Sequence, residues 1–136
     1  MSAVDLAVAR LQTNEGFRPL VYTDTTGHET IGYGFNISAG ISQKAALALL
    51  QAQAQDIGSQ LAGSSWAAGL DDVRMSVLIE LAFNLGLGGL MKFSQMIAAI
   101  RAQDWQASHD ALLDSEAGRL LPTRYGQLAN LLLNGA

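Results

Sequence analysis

The sequence predicts an α+β protein, mostly helical, with one small β element set between an N-terminal helix and a helical body. Three observations carry this. Apolar residues recur at helical spacing before residue 15 and almost everywhere after residue 41. Residues of β and turn character are confined to about 17–36. No linker, repeat or low-complexity tract divides the 136 residues, so the chain reads as a single domain.

Taken in order, Ser2 with Asp5 three residues on forms a capping box and opens a helix over about 3–14. Val4, Ala7, Val8 and Leu11 give it an apolar stripe, and Glu15 and Gly16 fall at its exit. Pro19 then discourages helix, and Leu20-Val21-Tyr22 has β character. Asp24-Thr25-Thr26-Gly27 is turn chemistry, and Thr30-Ile31-Gly32-Tyr33-Gly34 reads as a returning strand. The product is a hairpin or a three-stranded sheet. Ser42 caps a helix over 43–62, striped by Leu47, Leu50, Ala54, Ile57 and Leu61. Asp71 caps the next, over 72–85, which the glycines of Leu85–Gly89 break. Further helices are expected near 94–102, 104–114 and 123–133, with Pro122 just before the last and Gly135 just after it. The Met and Leu positions from 75 to 100 are assigned to the core.

Composition bounds the chemistry. Apolar residues are 49% and charged ones 15%, which describes a folded globular chain. No segment is an uninterrupted membrane span: the nearest, Met75 to Met91, is broken by Ser76, Glu80, Asn84 and three glycines. The N-terminus places Asp5 where a signal peptide would carry positive charge. Without cysteine there is no disulfide framework or thiolate chemistry and a zinc site is not expected, and with only His28 and His109 a histidine-based triad has few candidates. The net charge of −4 argues against nucleic-acid binding.

The stretch that can carry chemistry runs from Asn14 to Asn36. Glu15 stands at a helix exit, Asp24 in a turn after one strand, and Thr30 at the start of the next. Two carboxyls and a hydroxyl on the rims of different elements can converge on one cleft, which glycoside hydrolysis requires. One carboxyl protonates the leaving oxygen while a second group handles the attacking water or the developing cation. Spacing alone is weak evidence for this, since such sets arise by chance.

The same stretch resembles the phage-type lysozymes, glycoside hydrolase family 24. Their signature is E, eight residues, D, five residues, T, matched by Glu15, Asp24 and Thr30 within EGFR, Y-x-D and TIGYG. LDDVRMSVLIELAFNLG, with Phe83, Asn84 and Gly86, resembles that family's central helix. Phe93 and Trp105 stand where the family has aromatics, and Leu121 to Tyr125 resembles its late P-x-R motif.

The resemblance implies a lysozyme-like fold with a cleft between lobes. It implies an endo-N-acetylmuramidase that cuts the β-1,4 bond between N-acetylmuramic acid and N-acetylglucosamine with inversion. Glu15 would be the general acid, and Asp24 and Thr30 would position and activate water, with the carboxyls roughly 6.5–9.5 Å apart. Arg124 would support Glu15, and Phe83 and Asn84 would bind substrate. No metal or organic cofactor is implied. The partner would be peptidoglycan glycan strands, met by a monomer made in the host bacterial cytoplasm and acting on the wall in the periplasm. Phe35 stands where the family commonly has histidine, and only about six residues separate it from Ser42, a shortened lobe.

Quieter readings stand beside these. His28 and Glu29 read as an exposed loop pair, His109 as a surface residue, and Gly86–Gly89 as a bend. The rival functions are an inactive or weak lysozyme-fold module that binds a partner or glycan, and a lytic transglycosylase.

Overall fold

The computed structural model describes residues 1–135. Its elements run α1 (Ala3–Glu15), β1 (Arg18–Thr23), β2 (Glu29–Gly32), β3 (Phe35–Asn36), a 3-10 turn (Ile37–Ala39), α2 (Gln43–Ala62), α3 (Asp72–Leu90), α4 (Ser94–Arg101), α5 (Trp105–Leu113), α6 (Glu116–Leu120) and α7 (Pro122–Asn134). The mostly helical α+β class is therefore as expected, and of the two β arrangements it is the three-stranded sheet that forms. The chain divides into two compact units, Met1–Leu47 and the chain from Ala48 onward.

In the first unit, the expected capping box closes α1: the Asp5 backbone N–H donates to Ser2 Oγ at 3.1 Å, and the Ser2 N–H donates to Asp5 Oδ2 at 3.0 Å. The sheet is antiparallel in the order β1-β2-β3, with Tyr22 and Thr23 opposite Thr30 and Glu29, and Thr30 opposite Asn36. β2 is thus the central strand, and among residues 1–47 only Thr30 is buried, at 3% exposure. The stripe Val4, Val8 and Leu11 on α1 is exposed, and so are Phe17, Leu20, Val21 and Phe35. Backbone pairing and local side-chain bonds, more than apolar burial, hold this unit in shape.

The second unit is built the opposite way. Leu61 of α2, Val77, Leu78 and Leu81 of α3, Met96 of α4, Leu112 of α5 and Leu132 of α7 form one buried cluster. At roughly 1.5–3 kcal/mol for each fully buried aliphatic side chain, that cluster dominates its stability. Asp71 caps α3 as expected, accepting from the Arg74 N–H at 3.1 Å, and Ser42 caps α2 through the Ala45 N–H at 3.1 Å. Arg74 then closes the far end of α7. Its Nε donates to the Leu132 carbonyl at 2.7 Å, its Nη2 to the Leu133 carbonyl at 3.0 Å and its Nη1 to Asp71 at 3.1 Å. The guanidinium also lies 3.8 Å over the Trp105 ring.

The glycines of 85–89 break α3 as expected: Gly86 leaves the helical region at φ 75° and ψ 161°, a backbone open to glycine, and a further helical stretch runs on to Leu90 beyond the kink. Three expectations are corrected here. Leu85 and Met91 are exposed, not core, since they flank the kink and the helix end. The short α6, capped by Ser115 Oγ on the Gly118 N–H at 3.0 Å, was not foreseen. His109 is mostly covered, with Nδ1 2.8 Å from Asp110 Oδ1. By length and a mean hydropathy of 1.4, α3 also has the dimensions of a membrane span, although its buried residues are the centre of the second unit's core.

Candidate active site

Glu15, Asp24 and Thr30 all belong to the first unit, whereas Phe83, Asn84 and Arg124 belong to the second. Glu15 is the last residue of α1, and its chain turns away through Gly16, whose N–H returns to the Gln12 carbonyl at 3.2 Å. Its carboxyl rests against Gly34, in the turn between β2 and β3. A Cβ at position 34 would stand 2.6 Å from Glu15 Oε2 and 3.0 Å from its Cδ, well inside van der Waals contact. Gly34 also has φ +78°, a backbone that L side chains adopt at a cost. The seat of the carboxyl is therefore made by a missing side chain, a residue that the sequence placed only as one glycine of a strand.

Asp24 sits in the turn between β1 and β2, and one of its oxygens organises that turn. Oδ1 accepts from the Thr26 N–H at 2.9 Å, the Thr26 hydroxyl at 2.8 Å and the His28 N–H at 2.9 Å. The backbone closes alongside, with the Asp24 N–H on the His28 carbonyl at 2.8 Å and the Gly27 N–H on the Asp24 carbonyl at 3.1 Å. These bonds favour the ionised carboxylate and hold its pKa below the usual value, the His28 backbone N–H foremost and the Thr26 hydroxyl next. Asp24 is therefore a carboxylate at neutral pH, available as a base and not as an acid, and its side chain keeps 34% exposure.

Thr30 is tied to the same turn. Its hydroxyl donates to the His28 carbonyl at 3.1 Å, the oxygen that also receives the Asp24 N–H. Asp24 and Thr30 thus meet through the backbone of His28, whose side chain is exposed in the loop as expected. The hydroxyl proton being engaged, Thr30 Oγ1 keeps its lone pairs and can accept a hydrogen bond from water.

In the second unit, Phe83 is 43% exposed on α3. Asn84 turns its amide back onto the Glu80 carbonyl at 3.0 Å. Arg124, in the first turn of α7, places Nε and Nη2 on Glu80 Oε2 at 3.2 and 3.1 Å. Glu80 is thus the anchor of this group, one turn of helix before Asn84, and it was not singled out in the sequence. Two crevices of this unit, of about 640 and 620 Å³, are lined respectively by Phe93 with Glu116 and by Trp66 with Trp105, and neither includes the candidate residues. Among the described residues, no three His, Asp or Glu side chains gather around one point as a metal would need.

Comparison with known proteins bears on the whole arrangement, because residues 12–123 match the family model described as phage lysozyme. The chain belongs to the phage lysozyme family. The matched span contains Glu15, Asp24, Thr30, Phe83 and Asn84 and stops one residue short of Arg124. Among curated proteins the chain is 26% identical to the pre-baseplate central spike protein Gp5 of Enterobacteria phage T4, over 92% of this chain and 27% of that protein. The chain therefore spans about a quarter of the length of this relative.

Proposed function

We propose that the chain is a peptidoglycan hydrolase, an endo-acting N-acetylmuramidase that cleaves the β-1,4 bond between N-acetylmuramic acid and N-acetylglucosamine with inversion. The observation that carries this reading is the grouping of Glu15, Asp24 and Thr30 in one small unit that lies largely within the family match. Glu15, seated on Gly34, gives its proton to the leaving glycosidic oxygen. Asp24, ionised and bound through Oδ1, offers its other oxygen to the attacking water, which Thr30 Oγ1 helps to orient. Inversion needs a water between the two carboxyls, which sets their working separation at roughly 6.5–9.5 Å. Phe83, exposed on α3, and Asn84 are the proposed sugar-binding residues, and Arg124, whose guanidinium pairs with Glu80 in this structure, is the proposed support of the acid. The whole chain acts as one lysozyme-like catalytic domain, as a monomer and without a cofactor, on the wall in the bacterial periplasm.

The test is clearing of chloroform-treated Gram-negative cells, with product masses read on purified peptidoglycan. Replacing the acid in Glu15→Gln is expected to lower kcat by roughly 10²–10⁴-fold, the usual contribution of a positioned acid, while the melting temperature holds. Products ending in anhydro-muramic acid would replace hydrolysis by transglycosylation. Absence of lysis at every pH and salt concentration would point instead to a binding module.

A further inference from the structure

The turn between β1 and β2 contains one group that this chemistry leaves unused, the His28 imidazole. Its Nδ1 lies 2.8 Å from Thr26 Oγ1, and Thr26 Oγ1 lies 2.8 Å from Asp24 Oδ1. The ring nitrogen is also 3.9 Å from Asp24 Oδ1. A hydroxyl has one proton to donate and lone pairs to accept with. When Nδ1 carries hydrogen it donates to Thr26, and the Thr26 proton is then directed onto Asp24. When Nδ1 is bare, the same proton is drawn between two acceptors, and Asp24 Oδ1 is left with the two backbone donors as its constant partners.

We propose that Thr26 and His28 are positioning residues for Asp24: the imidazole Nδ1 steers the Thr26 hydroxyl onto Oδ1, locking the carboxylate plane so that Oδ2 faces the reacting water. The inference rests on the reading of Asp24 as the base. Three donors on Oδ1, two from the backbone and one from a side chain, fix both the position and the rotation of the carboxylate, whereas Oδ2 accepts no hydrogen bond among the described residues. The steering is local to this hairpin. Its other charged groups are Glu29, beside His28 in the chain, and Arg18, whose guanidinium lies 4.3 Å over the Tyr22 ring.

The test uses Thr26→Val, which keeps the shape and the backbone N–H but removes the hydroxyl, Thr26→Ser, which restores it, and His28→Ala. Carbon-13 titration of the Asp24 carboxyl is followed together with kcat and KM on peptidoglycan. In Thr26→Val the Asp24 pKa is expected to rise toward its ordinary value and kcat to fall roughly ten- to a hundredfold with KM little changed, on the scale of a misplaced catalytic group. Thr26→Ser should restore both. His28→Ala should move both the same way by less, and should add nothing in the Thr26→Val background. An unchanged titration in Thr26→Val overturns the proposal, as does additivity of the two substitutions or a shifted titration with unaltered kcat. The titration needs no substrate, so a wild-type chain without activity would remove the functional reading while the titration still decides whether the relay exists.

Discussion

The two units solve the problem of stability differently. The second encloses a continuous apolar cluster in which Leu78, Leu81, Leu112 and Leu132 lose all contact with water. The first buries a single residue, and that residue is a threonine. Its shape comes from a capping box, three short strands and a turn gathered around one aspartate oxygen. A frame of directional bonds fixes angles more closely than apolar packing does, and in this molecule it holds the three groups to which chemistry is assigned. The larger unit supplies mass and order, and the smaller one supplies geometry.

The contrast is broken most directly by truncating apolar side chains. Leu81→Ala should cost the second unit about 2–5 kcal/mol, because it opens a cavity among neighbours that cannot all collapse. Leu20→Ala, at an exposed position in β1, should stay within about 0.5 kcal/mol. Equal losses in thermal or denaturant unfolding would erase the distinction. A sharper probe is Gly34→Ala. Placing a left-handed backbone on alanine costs about 1–2 kcal/mol, and the new methyl displaces the Glu15 carboxyl. Activity should therefore fall by about a hundredfold, far out of proportion to the small drop in melting temperature; a loss of activity that merely tracks unfolding would contradict the seat.

Acid should expose the smallest difference. Asp5 and Asp24 in the first unit, and Asp110 in the second, have pKa values lowered by their hydrogen bonds, from Ser2, from His28 and Thr26, and from His109 and Gln106 respectively. A carboxyl whose folded pKa is depressed adds stability above its unfolded value, near 3.9, and loses that contribution as pH falls through the folded value. Amide protection in the first unit should therefore weaken ahead of the second below about pH 4. Asp24→Asn, which still offers an oxygen to the turn, should flatten that dependence; an identical acid profile in the variant would show that the turn does not titrate through Asp24.

What could be read from the sequence follows the same division. Local chemistry was legible: the Ser2–Asp5 box, the Asp71 and Ser42 caps and the Asp24 turn each depend on residues within three or four positions. The E–D–T spacing was legible as a family signature. Contacts between distant segments were not. Nothing in the spacing of Gly34 says that its empty side should face Glu15, and nothing near Arg124 names Glu80 as its acceptor, forty-four residues away. Helix α6 has five residues, too few for a periodicity to develop, and the resumption of α3 beyond Gly86 depends on the core that Leu90 joins.

Both tryptophans of the chain, Trp66 and Trp105, lie in the second unit, and a guanidinium rests on the face of one of them. Tyr22 and Tyr33 lie in the first. Indole emission is consequently a reporter for one unit alone, and Arg74 makes it sensitive to the fastening of α7. Tyrosine absorption is shared between the units, because Tyr125 is buried on α7. Indole emission from the second unit, set against amide protection of the strands in the first, therefore follows the order in which the two parts loosen without attaching a dye.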